Sequence, residues 1–285
     1  MTVDRPASGR EASVDADAFK GFEMEGWEHQ ASTYDSFIGR LTSQLVDPLL
    51  DAAGVGPDMR VLDLATGPGY AAARAAERGA TVVGVDIAPS MVRLARRLHP
   101  TLEFREADAE ALPFEDSSFD AAVSNFLIPH LGRHARVVSE LVRVLRNDSR
   151  LSLTTWDFPE RMRLLGVFLD ACAEAGAAAP DDIPVGPPFF RFADDEQFIA
   201  LLSDNGLSDV DVRTVSFIYH TDSADQLWEG MLAGTVRTSA LFLGQPEETR
   251  RRIRSTFDRL VLDYGRGGNF EWPVSVKLAR GRKAS

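Results

Sequence analysis

The sequence predicts an α/β fold built on a doubly wound, mostly parallel sheet of seven strands. Short apolar strands alternate with helical segments, a glycine-containing turn follows the first strand, and proline and glycine signals bound the helices. Parallel strands joined in this way form right-handed units whose helices cover both faces of the sheet. The 285 residues are enough for one large domain of this class.

The first five strands and the helices between them follow from this alternation. The strands lie in the segments RVLDLA, TVVGVD, LEFREAD, SSFDAAVSNF and RLSLTTWDF. The helices lie in AAARAAERGA, PSMVRLARRLHP and HARVVSELVRVLRND. Gly79 ends the first of these helices, and Pro89 and Pro100 bound the second.

The second half of the chain adds two strands and a long insertion. Helices are predicted in RMRLLGVFLDACAEAG and DDEQFIALLSDNG, and strands in DVDVRTVSFIYH and FEWPVSVKLARG. About 50 residues separate these two strands, which is too many for a simple connection. The segment from Thr221 to Gly268 is therefore predicted to be an inserted helical lid that buries its apolar face against the sheet or a ligand.

Composition and charge argue against several classes of function. Acidic residues outnumber basic ones by 43 to 31, and the net charge of −12 disfavours nucleic-acid binding. The single cysteine, Cys172, cannot form an internal disulfide, so a cytoplasmic location is expected. Neither a membrane span, a signal peptide nor a metal-ligand cluster is evident. The expected partner is a small-molecule substrate, and the question of a homo-oligomer stays open.

Polar residues follow each of the first four strands, at the edge where parallel sheets bind their ligands. Asp63, Asp86 and Asp108 come at the ends of the first three strands, and Asn125 with Phe126 follows the fourth. Because the carboxyl ends of parallel strands meet at one edge, these residues are expected to face a common ligand.

The turn after the first strand allows more than one interpretation. Gly67 to Ala72 matches the G-x-G-x-x-A pattern of dinucleotide sites, with Asp86 as the ribose acid, but it would equally serve as a tight turn without a ligand. The Asp63 carboxylate would repel a pyrophosphate and attract a cation. Asp108 offers an acceptor for an adenine amine, and Ala109 a backbone N–H. S-adenosyl-L-methionine, which has an ammonium, a ribose and an adenine but no phosphate, fits this set.

At this point the sequence resembles the class I S-adenosylmethionine-dependent methyltransferases, in their small-molecule type 11 or ubiquinone/menaquinone-like group. The resemblance spans Tyr34 to Trp156 and rests on the motifs VLDLATGPGY, VVGVDIAPSMV, FREADAEALPFEDSSFDAAVSNF and RVLRNDSRLSLTTW, which keep the family's order and spacing. It implies a Rossmann-like fold with S-adenosyl-L-methionine as cofactor and S-adenosyl-L-homocysteine as product.

The resemblance also implies a set of cofactor-binding residues. Asp86 would accept the ribose hydroxyls, while Asp108 and Ala109 would read the adenine edge. The full set is Tyr34, Asp63, Ala65, Thr66, Gly67, Gly69, Asp86, Ile87, Met91, Asp108, Ala109, Asn125 and Phe126. One position departs from the family pattern, because Ala65 stands where the first glycine is usual. An alanine still allows a close turn here if its φ is negative.

Methyl transfer needs alignment and a dry site, and a general base where the acceptor must lose a proton. His130 follows the fourth strand and is the best candidate for that base. The expected substrate-binding aromatics are Trp27, Trp156, Tyr219 and Trp228. The predicted function is therefore methyl transfer to O, N or C of a small, hydrophobic or aromatic metabolite, as found in secondary metabolism.

Three alternatives stay open at this point. A NAD(P)-dependent oxidoreductase is disfavoured by Asp63 and Asp108 and by the lack of a Tyr-x-x-x-Lys pair. A regulatory protein could keep the cofactor pocket without methyl transfer, and a cyclase-like enzyme could use the sulfonium only as a bound charge.

The predicted organisation is one continuous domain with four parts. A mobile tail covers residues 1–20, and an N-terminal helical cap covers 21–58. The cofactor-binding core covers 59–158, and 159–285 holds the end of the sheet with the substrate-covering insertion.

Overall fold

The computed structural model describes residues 14–284, and its centre is a mixed sheet. The strands are β1 Arg60–Leu64, β2 Thr81–Asp86, β3 Glu103–Glu106, β4 Phe119–Ser124, β5 Leu145–Trp156, β6 Leu207–Thr221, β7 Gly265–Arg266 and β8 Asn269–Lys283. Seven of them lie in the order β3-β2-β1-β4-β5-β8-β6, and the short β7 pairs only with β8. Strands β1 to β5 are parallel, whereas β8 runs antiparallel to both β5 and β6. The predicted seven-stranded, doubly wound sheet is confirmed.

Helices surround this sheet on both faces. In the described chain they are α1 Ala16–Gln30, α2 Ile38–Ser43, α3 Val46–Ala53, α4 Tyr70–Glu77, α5 Pro89–Leu98, α6 His134–Val144, α7 Arg163–Glu174, α8 Asp195–Ser203, α9 Ala224–Gly234, α10 Arg237–Leu243 and α11 Glu247–Leu260. Short 3₁₀ helices lie at Tyr34–Ser36, Ile128–His130, Arg191–Ala193 and Val261–Tyr264. None of the helices described is both long and apolar enough to cross a membrane.

The chain becomes helical earlier than predicted. Helix α1 begins at Ala16, where Asp15 caps it by accepting hydrogen bonds from the backbone N–H groups of Asp17 and Ala18. The predicted tail over residues 1–20 is therefore wrong for residues 16–20. Residues 1–13 lie outside the described part of the chain.

Alternating side chains of the central strands pack on opposite faces of the sheet. Val61 and Val123 pack with the buried faces of α3, α4 and α5. Leu62 and Ala122, one position along, pack with α6 and α8 on the other face. The connection after β1 leads to β2 on one side, while β4 lies on the other side. The carboxyl ends of β1 and β4 therefore border the crevice where doubly wound sheets bind ligands.

The insertion between β6 and β8 packs tightly against the N-terminal helices. A Cβ on Gly26 of α1 would lie 2.4 Å from a methyl of Val236, so only glycine allows this approach. The side-chain amide of Gln30 donates to the Thr235 carbonyl at 3.2 Å. Helices α1, α9 and α10 thus form one cover above the carboxyl ends of the strands.

Candidate functional site

The turn after β1 places three residues in left-handed backbone conformations. Ala65 has φ of 55°, Gly67 of 53° and Gly69 of 87°. The condition of a negative φ at Ala65 is not met, because the turn requires the conformation that a glycine usually supplies here. Left-handed backbone costs an alanine about 1–2 kcal/mol, so the turn stores local strain beside the crevice.

A buried carboxylate holds this turn. Asp63 is 1% exposed, and its Oδ2 accepts hydrogen bonds from Thr66 Oγ1 at 2.6 Å and from the Ala72 N–H at 3.0 Å. Burial raises the pKa of Asp63 to about 7, although both hydrogen bonds favour the ionised form. Asp63 and Thr66 border a smaller pocket that adjoins the main cavity through Ala65 and Gly67.

This shift makes stability depend on pH. The folded pKa of Asp63 lies above its ordinary value of 3.8, so between about pH 4 and pH 7 the folded state binds more protons than the unfolded state. The contribution of Asp63 to the free energy of unfolding therefore decreases as pH rises through this window and levels off above it. Asp63→Asn keeps an acceptor for Thr66 and Ala72, and it should flatten that decrease. Urea unfolding of both proteins across the window measures it, and parallel curves would contradict it.

A second buried carboxylate joins the ends of β1 and β2. Asp86 accepts from the Gly67 N–H through Oδ2 at 2.9 Å and from the Ala88 N–H through Oδ1 at 3.0 Å. Burial raises its pKa, and nearby Glu28 acts in the same direction. Asp86 is therefore both a wall of the cavity and a structural part of the turn.

The acid after β3 already has a cationic partner. Asp108 accepts from Lys20 Nζ at 2.8 Å through Oδ2 and from the Glu110 N–H at 2.9 Å through Oδ1. Lys20 also lies 3.4 Å from a Glu110 carboxylate oxygen. No pattern in the sequence indicates Lys20 at this site, because its side chain reaches this point from α1.

A hydrogen-bonded chain fixes the residues after β4. The Phe126 N–H donates to Thr154 Oγ1 at 2.9 Å, Thr154 donates to the Asn125 side-chain oxygen at 2.7 Å, and the Asn125 amide donates to the Thr42 carbonyl at 3.0 Å. Phe126 has φ of 63° and stacks on Trp156 with ring centroids 3.9 Å apart. The strained backbone and the stack hold Phe126 in the cavity wall.

These residues face one large cavity at the carboxyl edge of the sheet. It holds about 1350 Å³ of space free of protein atoms, its open mouth included. The predicted residues that line it are Trp27, Tyr34, Ala65, Gly67, Asp86, Ile87, Met91, Asp108, Ala109, Asn125, Phe126, His130 and Trp156. The Tyr34 hydroxyl lies 3.2 Å from Thr42 Oγ1, and burial raises its pKa to about 12.

His130 forms a pair with a buried acid that the sequence analysis missed. Its Nδ1 lies 2.9 Å from Oε2 of Glu23, which is 4% exposed, and its ring meets Trp27 edge to face with centroids 5.0 Å apart. Oε1 of Glu23 is buried and has no hydrogen-bond partner in the described chain. A signal existed, since Phe19, Glu23 and Trp27 repeat every fourth residue and place an acid on the inner face of α1.

Two expected substrate-binding aromatics lie elsewhere, and that prediction is corrected for both. Tyr219 of β6 packs edge to face on Phe37 with centroids 5.5 Å apart. Trp228 of α9 is 8% exposed and packs in an aromatic cluster with Phe168, Phe242 and Phe257. An apolar helix face buries its largest side chain against neighbouring helices when they offer an apolar surface.

Two further results concern which residues line the cavity. Gly69 is also outside the cavity lining, because its Cα faces the ring of Phe104, where a Cβ would lie 2.8 Å away. The insertion nevertheless reaches the cavity through residues outside the predicted substrate-binding set, namely Met231, Gly234, Thr235, Val236, Arg237 and Thr238.

Comparison with known proteins places this architecture in a family. A family model described as a methyltransferase domain matches residues 62–153. Uncharacterized protein Rv1403c of Mycobacterium tuberculosis is 30% identical over 288 residues, covering 98% of this chain and 99% of that protein. Uncharacterized protein Rv1405c of the same organism is 34% identical over 160 residues, covering 55% of this chain and 56% of that protein. The match thus spans little more than half the length of this second relative.

Relatives with a named activity match a shorter region. Demethylmenaquinone methyltransferase of Beutenbergia cavernae is 40% identical over 110 residues, which are 39% of this chain and 46% of that protein.

Solved structures share the fold at low sequence identity. YcgJ of Bacillus subtilis superimposes with a TM-score of 0.56 at 20% identity, covering 85% of this chain and 99% of that one. Phosphoethanolamine N-methyltransferase 2 of Haemonchus contortus, in complex with S-adenosylhomocysteine, gives a TM-score of 0.51 at 20% identity, covering 85% and 53%. The full-length relative, the matched domain and the shared fold agree with the motifs in the cavity wall. The chain belongs to the class I S-adenosylmethionine-dependent methyltransferases, in the type 11 group.

Proposed function

We propose that this protein transfers a methyl group from S-adenosylmethionine to O, N or C of a small, hydrophobic or aromatic molecule. The observation that carries this proposal is the continuity of one cavity. Its wall runs from the Gly67 turn and Asp86, through Asn125 and Phe126, to His130. A cofactor site and an acceptor site can therefore share one cavity, which in-line transfer requires.

The residues present suit the cofactor. A Cβ on Gly67 would point into open space, so the glycine leaves room beside the turn. Asp86 would accept ribose hydroxyls, Ile87 and Met91 offer apolar faces for an adenine, and the Ala109 N–H could meet a ring nitrogen. When bound, S-adenosylmethionine supplies a methyl group made electrophilic by the sulfonium.

The chain's own contribution is orientation, exclusion of water and proton handling. The cover formed by α1, α9 and α10 closes the cavity above the strands, and Phe126, Trp156 and Trp27 give it an apolar aromatic wall. A carboxylate can only accept a hydrogen bond, so Glu23 places the proton of His130 on Nδ1. Nε2 is then the nitrogen left to accept a proton from an acceptor hydroxyl or amine.

A domain division follows from this proposal. The core over residues 59–158 would bind the cofactor, while the N-terminal cap and the insertion would cover the substrate. The four carboxylates in the described lining, Glu23, Asp86, Asp108 and Glu110, would repel a polyanion. They support a small-molecule acceptor rather than nucleic acid.

Cofactor binding tests the proposal directly. Calorimetry should detect S-adenosylmethionine and S-adenosylhomocysteine in preference to NAD, and Asp86→Asn should weaken them about 10- to 100-fold by removing a charge-assisted hydrogen bond to the ribose. Asparagine is preferred to alanine, since its one side-chain oxygen still accepts from Gly67 or Ala88, whereas alanine would leave both N–H groups without an acceptor.

Asp181→Asn, in an exposed loop, is the matched control and should bind like the wild type. A preference for NAD, or unchanged affinity in folded Asp86→Asn, would argue against the proposed site. Mass spectrometry of candidate acceptors for the gain of one CH₂ unit then identifies the substrate.

A further inference from the structure

Arg237, the first residue of α10, brings a guanidinium into the lining of the main cavity. Its guanidinium carbon lies 5.3 Å from the ring centroid of Phe19 and 5.2 Å from that of Phe189. Two aromatic rings thus hold the cation through cation–π contacts and fix its position beside the cavity.

The guanidinium is poorly satisfied by the protein. Its Nη1 donates to the carbonyl of Pro129 at 3.4 Å, which is long, and to that of Pro187 at 3.2 Å, the upper end of the usual range. Nε and Nη2 have no acceptor within residues 14–284, and no carboxylate of that range lies within ion-pair distance of Arg237. Most other half-buried arginines of this chain, such as Arg163 with Asp170 at 2.6 Å, have such a partner.

The environment makes this arrangement costly for the protein alone. Burial lowers the pKa of Arg237, and nearby Glu23 offsets part of that effect. The Glu23 carboxylate is itself engaged with His130, and its Oε1 lacks a partner among the described groups. A half-buried cation with free N–H groups beside a cavity is the arrangement expected of a site that binds an anion.

We propose that Arg237 binds a carboxylate of the acceptor substrate, so that the substrates are hydrophobic or aromatic monocarboxylic acids. This inference rests on the proposed methyltransferase function and names the substrate class of the same cavity. Nε and Nη2 of an arginine form the planar fork that a carboxylate accepts in a bidentate manner. The remaining wall, with Trp27, Phe189 and Met231, suits an apolar body.

The charges of the lining favour a monoanion. In the described lining the lysine and arginine side chains are Lys20 and Arg237, and Lys20 is paired with Asp108 and Glu110. One free positive charge among several carboxylates matches a single negative charge on the ligand. A phosphate dianion would need more cations than this cavity offers.

Matched pairs of small ligands test the proposal. Calorimetry measures benzoate, 1-naphthoate and indole-3-acetate against their neutral carboxamides, each with and without saturating S-adenosylhomocysteine. The wild type should bind at least one carboxylate about 10- to 100-fold more tightly than its amide, because a charge-assisted pair is lost in the amide. Equal affinities, or no binding by any carboxylate of the panel, would overturn the proposal.

Two substitutions assign the preference to Arg237. In Arg237→Met, which keeps much of the apolar stem, the preference should fall to about threefold or less, whereas Arg237→Lys should keep part of it. Arg254→Met is the matched control, since Arg254 also lies over an aromatic ring but pairs with Asp225 and Asp258. A preference that survives in Arg237→Met would also overturn the proposal.

The cofactor titration separates this inference from the function on which it rests. S-adenosylhomocysteine should bind wild type and Arg237→Met equally well. If that ligand fails to bind the wild type, the methyltransferase proposal fails, while the carboxylate preference is still measured without it. If Arg237→Met weakens S-adenosylhomocysteine instead of the carboxylates, Arg237 serves the cofactor and the substrate assignment is wrong.

Discussion

Trp228→Ala should lower the free energy of unfolding by about 3–5 kcal/mol, the range for removing a fully packed aromatic side chain. The indole is 8% exposed and contacts three phenylalanine rings with centroids 5.0 to 5.1 Å away. The Arg254 guanidinium also lies 4.9 Å from the indole centroid. The substitution would leave a cavity between α7, α9 and α11 that these rigid rings cannot fill.

Urea unfolding of three variants measures this effect. Trp228→Phe keeps an aromatic ring and should lose less stability than Trp228→Ala. Leu262 is 71% exposed, so the control variant Leu262→Ala should unfold within about 0.5 kcal/mol of the wild type. S-adenosylhomocysteine affinity of folded Trp228→Ala should be close to normal, because the indole lies outside the cavity lining. A stable variant with weak substrate binding would instead support the role in substrate contact that the sequence suggested.

The two errors among the aromatic predictions have one physical origin. Sequence spacing indicates that Trp228 lies on an apolar helix face, but not whether that face meets a ligand or another helix. Here α7 and α11 supply the apolar surface, so the indole packs in the core. Tyr219 likewise lies on the half-buried face of a strand and meets Phe37 from the N-terminal cap.

The central part of the fold was predictable because its signals are local. Apolar strands with the following acids, Asp63, Asp86 and Asp108, occur within about 50 residues of one another, and parallel pairing brings their ends together. The backbone of Ala65 was not predictable from local preference. The turn requires a left-handed conformation there, and the surrounding hydrogen bonds of Asp63 and Asp86 impose it on an alanine.

The far side of the cavity was not predictable, because its residues come from distant parts of the chain. Lys20 and Glu23 lie on α1, and Arg237 begins α10, more than 200 residues later. These residues come together because α1 packs against the insertion. That packing requires close contacts at glycine, such as Gly26 against Val236. The spacing of residues within one segment does not predict a contact between two distant segments.

His130→Gln should lower kcat about 10²- to 10⁴-fold once the acceptor is identified, which is the usual contribution of a positioned general base. Glutamine keeps a polar side chain of similar length but cannot take up a proton. Cofactor affinity should change little. His29→Gln is the matched control, because His29 is exposed on α1 and bonds only to the Glu25 carbonyl among the described groups. Wild-type kcat in His130→Gln would mean that alignment alone suffices.

A variant of Glu23 tests whether His130 acts as a base or only holds α1 in place. Glu23→Gln can still accept the hydrogen bond from Nδ1 but no longer stabilises the imidazolium that forms when Nε2 takes a proton. We expect kcat to fall in Glu23→Gln while stability is kept or gained, since a buried carboxylate with an unpaired oxygen is costly. In the double variant with His130→Gln, the two losses in kcat should not add, because Glu23 affects proton transfer through His130. Additive losses, together with weaker cofactor binding, would show that the pair serves to hold the helix over the cavity and that the proton goes elsewhere.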